Sequence, residues 1–561
     1  MHASKSARLC WGQHYHLLRY HQVPAESRHE AHITADYPLP DGCTTEHVKQ
    51  ALNHLVRRHE GLRTVYDLHA RPWPLQRVEP PAPLPVTEAT SEDDGTPPPA
   101  EVIGQLSRAP FDVTREWPIR ACVVTTGGRL KRLHLVFNHL GFDDVSLDVL
   151  RHDLDAVLAA RVERRPVTLA PVPQQPVDLA RFEATRSPDA VDAALEHWRG
   201  EVRRLPADVF AARRDPSRAP GSASSASFTV PSLLAASRGI AARERCWPAA
   251  VHLAAYAVAV AAWTGERRVA HRLYTSQRAA SGFPSVLTCL SYPTAASLDL
   301  TDDPVFSTVL RRAADRIGQA MTHAHVPYDR VAEFVAQESA LRRQPVRVAT
   351  EVNFLDNAPR SCGTRKDRFS WNAAPTDWAK AGSDLYFRIY EWSDGITLAL
   401  QATAEVMDRD AVEVFLRGYA RLLQAHRDPG TDLTVGQAAE LIGFSPLPPR
   451  PRIGVADGRR PVVEGDGSPG GPPPPATEAE RVLLTVTAEV NGLGPVDPAD
   501  SYVAAGGRVL RLPRVLADLH ELGWDGVSVN QLASARPLRA LACRMTRSSP
   551  TGVRSQIGSA R

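Results

Sequence analysis

The stretch "FNHLGFDDVS" (137–146) decides the fold. Before it, "PIRACVVTTGGRLKRLHLVFNHL" (118–140) reads as a β-hairpin turning at Gly127-Gly128. After it, "SLDVLRHDLDAVLAAR" (146–161) has helical periodicity, with Ser146 as the predicted N-cap. The quoted residues therefore sit where a strand ends and a helix begins. A loop held between two rigid elements is where folds commonly present reactive side chains.

Working outward, "EHVKQALNHLVRRHEGL" (46–62) predicts a helix with Val48, Leu52, Leu55 and Val56 on one stripe. The second half predicts helices at 249–263, 305–321 and 410–425, and strands at 226–230, 346–355, 384–392 and 395–403. This mixed pattern is α/β (α+β), built twice. Three stretches read as breaks: a Pro-rich acidic loop at 79–101, a small polar segment at 215–227, and the Pro/Gly-dense 445–480. Only the last is rich enough in Pro and Gly to separate domains. Beyond it, "TEAERVLLTVTAEV", "RVLRLPRVLADLHEL" (Pro513 near its first turn) and "PLRALACRM" predict a small helical bundle over 477–545. Arg508, Arg511 and Arg514 read as a solvated face of its second helix, the alternative being a face that docks an acidic partner.

A chain of 561 residues predicts two to four domains. Its net charge of +3, from 66 basic and 63 acidic residues, gives no reason to invoke nucleic acid or an anionic membrane. The seven cysteines are scattered, none in C-x-x-C spacing, so neither a disulfide framework nor a metal site is predicted, and a cytoplasmic setting is. The first thirty residues lack the apolar core of a signal peptide. The apolar run "WPAAVHLAAYAVAVAAW" (247–263) contains His252 and is expected to be a buried helix rather than a membrane span. The chain holds no G-x-S-x-G elbow, P-loop or H-E-x-x-H motif.

Five motifs then occur in order. "RHEGLRTVY" (58–66), "NHLGFDDVS" (138–146), "TCLSYPT" (288–294), "HAHVPYDRV" (323–331) and "VNFLDN" (352–357) resemble the motif series of the condensation domains of nonribosomal peptide synthetases. The second sits where that family has H-H-x-x-x-D-G-x-S. The resemblance covers residues 1 to about 445 and implies two chloramphenicol-acetyltransferase-like lobes set in a V, about 1–185 and 186–445, with 205–226 crossing between them. It implies a tunnel through which a carrier delivers an acyl thioester to an amine or hydroxyl acceptor. Residues 477–545 are similar to a peptidyl-carrier domain: "DSYVAAGGRVL" (500–510) aligns with D-S-F-F-x-x-G-G-x-S-L, but Val509 stands at the serine that takes phosphopantetheine. Residues 446–476 would be the linker and 546–561 a disordered tail.

On this resemblance His139 is the catalytic histidine, able to orient the nucleophile or accept its proton, while tethering contributes much of the rate. Outside the motif set, a lone histidine would read as structural. Asp143 is expected to pair with Arg278 from the other lobe and hold the loop. Arg58 and Arg63 are expected to close a helix C-terminus and pair across the lobe. Ser146, Ser291 and Asn353 are candidates for the tunnel lining. Two residues depart from the pattern. Asn138 replaces the first histidine, where it could keep a hydrogen bond without ionising. Asp144 replaces a glycine, which permits backbone conformations closed to other residues and keeps the tunnel clear. Aspartate tolerates left-handed geometry better than most, but its carboxylate is expected to raise the pKa of His139. The doubled aspartate also resembles the X domains of glycopeptide synthetases, which have lost bond formation and recruit oxygenases. Those usually carry arginine where this chain has His139. The implied function is a condensation-type acyltransferase of nonribosomal peptide and antibiotic biosynthesis. The alternative is an inactive recruiter of biosynthetic proteins. No cofactor is expected on this chain. Phosphopantetheine would arrive on carrier proteins or synthetase modules in trans, with a free small-molecule amine as another acceptor, because no adenylation segment is recognised.

Overall fold

The computed structural model describes residues 5–91, 99–206, 208–219, 221–356, 364–447 and 477–548. Most of the 446–476 linker, the tail from 549 and residues 92–98 of the acidic loop lie outside them. The chain divides into two compact units. One comprises Met1–Val65, Gln76–Val331 and Val346–Ala456, the other Tyr66–Leu75, Ala332–Pro345 and Asp457–Arg561.

In the first unit, the hairpin forms as read, with strands Ile119–Thr126 and Arg129–Phe137 joined at Gly127 and Gly128, both at positive φ. It is the centre of a four-stranded sheet. Ile33–Pro38 pairs antiparallel with Arg129–Phe137, and Val86–Ser91 pairs parallel with Ile119–Thr126. Helices Thr45–Arg58 and Asp144–Val162 pack against each other and bury Val48, Leu52, Leu55, Leu150, Leu154 and Val157 with Phe137 and Phe142. Leu287, distant in sequence, completes the same core.

The first of these helices is shorter than its periodicity predicts. It ends at Arg58, His59 is extended, and Glu60–Arg63 forms a 3-10 turn. The cause is tertiary. His59 Nε2 bonds Asp153 Oδ2 at 2.8 Å, and Arg58 Nε donates to the same oxygen at 2.7 Å. A Cβ on Gly61 would sit 2.0 Å from the carbonyl oxygen of Leu287, so only glycine lets that backbone approach. Arg63 does close the helix end, donating to Val56 O at 3.1 Å.

The seven-stranded sheet runs in the order Ser291–Asp299, Arg268–Ser276, Thr350–Asp356, Leu385–Trp392, Gly395–Thr403, Ala223–Val230, Arg368–Trp371. Thr350–Asp356 is parallel to both its neighbours, and the other pairings are antiparallel. Helices Pro248–Thr264, Phe306–Thr322 and Arg409–Ala425 close within a residue or two of the predicted ranges. Pro248–Thr264 is buried on nearly all sides, which explains its uniform apolarity. No single described helix is long and apolar enough to cross a membrane. The six cysteines among the described residues are free.

The second unit holds helices Glu478–Asn491, Leu512–Glu521, Val529–Leu532 and Leu538–Ala542 around Leu483, Tyr502, Leu512, Val515, Leu532 and Leu541. The arginines of its second helix do not form the solvated face expected. Arg508 Nε lies 2.7 Å from Glu333 Oε1, and Arg511 covers Trp73 at 4.2 Å and donates to Pro72 O. Arg514 pairs with Asp518 at 2.6 Å. Val509 is buried, and its amide faces Glu333 Oε1 at 3.3 Å. Periodicity could not reveal this, because Trp73 and Glu333 come from remote parts of the chain.

Candidate active site

The loop 138–143 leaves the hairpin's second strand and enters helix Asp144–Val162. Its N-cap is Asp143, not Ser146. The Asp143 carboxylate accepts from the Ser146 amide at 2.8 Å, so Ser146 occupies the third helical position. Both residue types cap well, and only the three-residue offset to an orphan amide separates them. Asp144 is then the first helical residue. It is absent from the positive-φ residues, so the position asks for none of glycine's conformational freedom. An acidic residue in a first turn suits the helix dipole.

Asp143 is the hub of the loop. Its Oδ1 lies 2.7 Å from Arg278 Nη2, and its Oδ2 accepts from the Leu290 amide at 2.9 Å. Arg278 also donates to the carbonyls of Val286 and Thr288. The Ser146 hydroxyl bonds Asp143, and Thr288 O at 3.0 Å. Ser146 is fully buried with its hydroxyl committed to Asp143 and Thr288, so it supports the loop. Asn138, also buried, holds the turn by accepting from the Leu140 amide at 2.9 Å. Ser291 and Asn353 are half-buried, at the head of strand Ser291–Asp299 and within Thr350–Asp356. The segment 286–290 is thus pinned to the loop from three directions. A fourth is the first helix: a Cβ on Gly12 would come within 2.4 Å of Cys289 O.

His139 keeps part of its surface accessible. Its Nδ1 bonds the Phe142 carbonyl at 2.8 Å, which makes Nδ1 the protonated nitrogen and leaves the Nε2 lone pair free. Burial pulls its pKa below the ordinary histidine value. The Asp144 and Asp143 carboxylates push the other way without overcoming this. Asp144 thus acts in the expected direction, but it is exposed, water screens its charge, and burial decides the net shift.

Helix Trp11–Gln22 contributes a residue that motif reading missed. The His16 ring stacks on His139 with centroids 4.1 Å apart and planes 28° apart, and Trp378 lies 6.5 Å from His139. Burial, then the charges of His139 and Arg19, hold His16 well below its ordinary pKa. Two stacked imidazoles this close resist double protonation, so His16 favours a neutral His139. The available signal was the unusual "HYHLLRYH" (14–21), with three histidines on one helix.

A neutral imidazole with one anchored and one free nitrogen, on a loop locked by a buried ion pair, can accept a proton from an incoming nucleophile. A family model for the condensation domain matches residues 20–432, and the chain belongs to that family. It is 27% identical over 309 residues, 53% of its length, to chondramide synthase of Chondromyces crocatus. It is 25% identical over 322 residues, 56% of its length, to phosphinothricin tripeptide synthetase PhsC of Streptomyces viridochromogenes. The aligned parts are 8% and 30% of those proteins, so the chain corresponds to a fraction of each. Among solved structures it resembles the condensation domain of chain release from the enacyloxin polyketide synthase, with TM-score 0.60, 19% identity and coverage of 77% of this chain and 84% of that one. It also resembles the X-domain of teicoplanin biosynthesis in complex with OxyB, with TM-score 0.61, 21% identity and coverage of 80% and 98%. The fold is that of the chloramphenicol-acetyltransferase-like condensation domains.

Proposed function

We propose that this chain is an active condensation enzyme, joining a carrier-bound acyl or aminoacyl thioester to an amine or hydroxyl acceptor. The observation that carries the reading is the state of His139: Nδ1 fixed on Phe142 O, Nε2 free, and the ring biased toward the neutral form. Nε2 accepts a hydrogen bond from the acceptor's N–H or O–H, aims its lone pair at the thioester carbonyl, and takes the proton as the bond forms. Asp143 and Arg278 act at one remove, fixing the loop that presents the ring. The phosphopantetheine tether belongs to partner carriers, and the chain works in the cytoplasm. The six free cysteines support a reducing compartment.

On the same reading, residues 477–545 are a carrier-like bundle that has lost its attachment chemistry. Val509 has no hydroxyl, and its burial against Glu333 suits a structural role. The lobes 1–185 and 186–445 are our division of the remainder.

A second reading is an X-domain-like recruiter, favoured by Asn138, Asp144 and the likeness to the X-domain solved with OxyB. The two are separated by offering a thioester-loaded carrier with a panel of amines and alcohols. Product formation by the wild type supports condensation. Capture of partner enzymes without product supports recruitment.

A further inference from the structure

We propose that His16, His139 and Cys289 form a binding site for a zinc-type divalent transition metal, with a fourth position left to water or a small ligand. The sequence showed no metal-ligand spacing, because the three residues come from the first helix, the 138–143 loop and the 286–290 segment. The fold brings one ligand atom of each within 4.8 Å of the other two. In tetrahedral zinc sites such atoms stand about 3.3–3.6 Å apart, so binding needs the three side chains to close by roughly 1 Å and the His16 ring to turn out of its stack on His139, so that both imidazole lone pairs converge on the metal.

Three further observations point to a ligand. Both ring nitrogens of His16 are buried with no hydrogen-bond partner, although the residue is only 5% exposed. Buried imidazoles are ordinarily paired. His139 directs Nδ1 to a backbone carbonyl, the outer bond that metal-ligating histidines generally make, and presents Nε2. The scaffold is already rigid. Gly12 seats the first helix against Cys289 O, and Asp143 holds Leu290, the next residue along. Burial pushes the Cys289 thiol pKa up, so the metal-free residue is a thiol and binding releases its proton to solvent. The resulting two imidazoles and a thiolate make a donor set that suits zinc and other borderline metals better than magnesium or calcium. Asp143 and Asp144 favour a cation at this place and Arg19 opposes it.

The site stands on this geometry and not on the condensation reading. Its consequence does depend on that reading: a metal on Nε2 removes the lone pair that an attacking nucleophile needs, so the metal-bound chain would not condense. The test is titration of the metal-stripped full chain with cobalt(II), followed by displacement with zinc(II). One tetrahedral cobalt per chain with a thiolate-to-metal charge-transfer band is expected. Cys289→Ser should abolish the band, and His16→Gln should weaken binding roughly 100-fold. Cys246→Ser, at a half-buried cysteine elsewhere, should change neither. Circular dichroism confirms that the variants fold. Should they not, the wild-type stoichiometry and thiolate band decide alone. No binding at micromolar metal, a cobalt spectrum without thiolate, or a band that survives in folded Cys289→Ser overturns the proposal. None of these readouts requires turnover.

Discussion

Arg278 Nη2 lies 2.7 Å from Asp143 Oδ1, with side chains only 5% and 6% exposed, and this pair ties the histidine-bearing loop to the 286–290 segment. Removing one partner of such a pair leaves an uncompensated buried charge, at about 3–5 kcal/mol. Arg278→Met and Asp143→Asn should each lose stability on that scale in denaturant titrations. The double variant should lose clearly less than their sum. Additive losses would mean that the two side chains act independently.

Gly61 is a packing residue. A methyl there meets Leu287 O at 2.0 Å, and Leu287 belongs to the core beneath the four-stranded sheet. Gly61→Ala should destabilise the chain by about 1–3 kcal/mol, read as a lower denaturation midpoint with an unchanged slope. An unshifted midpoint would show that the backbone relaxes freely.

His252 and His271 give the core a pH dependence. Burial alone holds each down to about 3, against 6.5 for the free side chain. His252 bonds Tyr419 and Ser237, and His271 bonds Thr350. A histidine depressed in the folded state binds its proton more readily when unfolded. The stability it contributes is fully present above pH 6.5 and falls as pH drops from there toward 3. The slope is about 1.4 kcal/mol per pH unit for each residue. Unfolding free energies from pH 7 to 4.5 should show this decline, and His252→Gln should reduce its slope by one residue's share. An unchanged slope in that variant would contradict the assignment.

Val509→Ser tests the carrier-like reading. The side chain is buried and its amide is engaged by Glu333, so a serine there should not be modified by a phosphopantetheinyl transferase. Intact mass spectrometry would reveal any addition. Efficient modification would mean that the unit still presents this position as a working carrier does.

The sequence made local and periodic features legible. The Gly127-Gly128 hairpin and the helices near 249–263, 305–321 and 410–425 follow from side-chain patterns that act within one element. What it hid was tertiary. The helix from Thr45 ends early because Gly61 must meet Leu287, more than two hundred residues away. The pKa of His139 could not be read from its acidic neighbour, since burial outweighs a solvated carboxylate. His16 belongs to no quoted motif, and only the packing of the first helix brings it against His139.

The central claim is that the free Nε2 of His139 serves bond formation. The most direct measurement is the single-turnover rate of acyl transfer from a loaded carrier to an accepted amine, for wild type and for folded His139→Ala. Loss of a positioned general base predicts a fall of about 10²–10⁴-fold, with carrier binding retained. A variant that turns over within a few-fold of wild type would contradict the account.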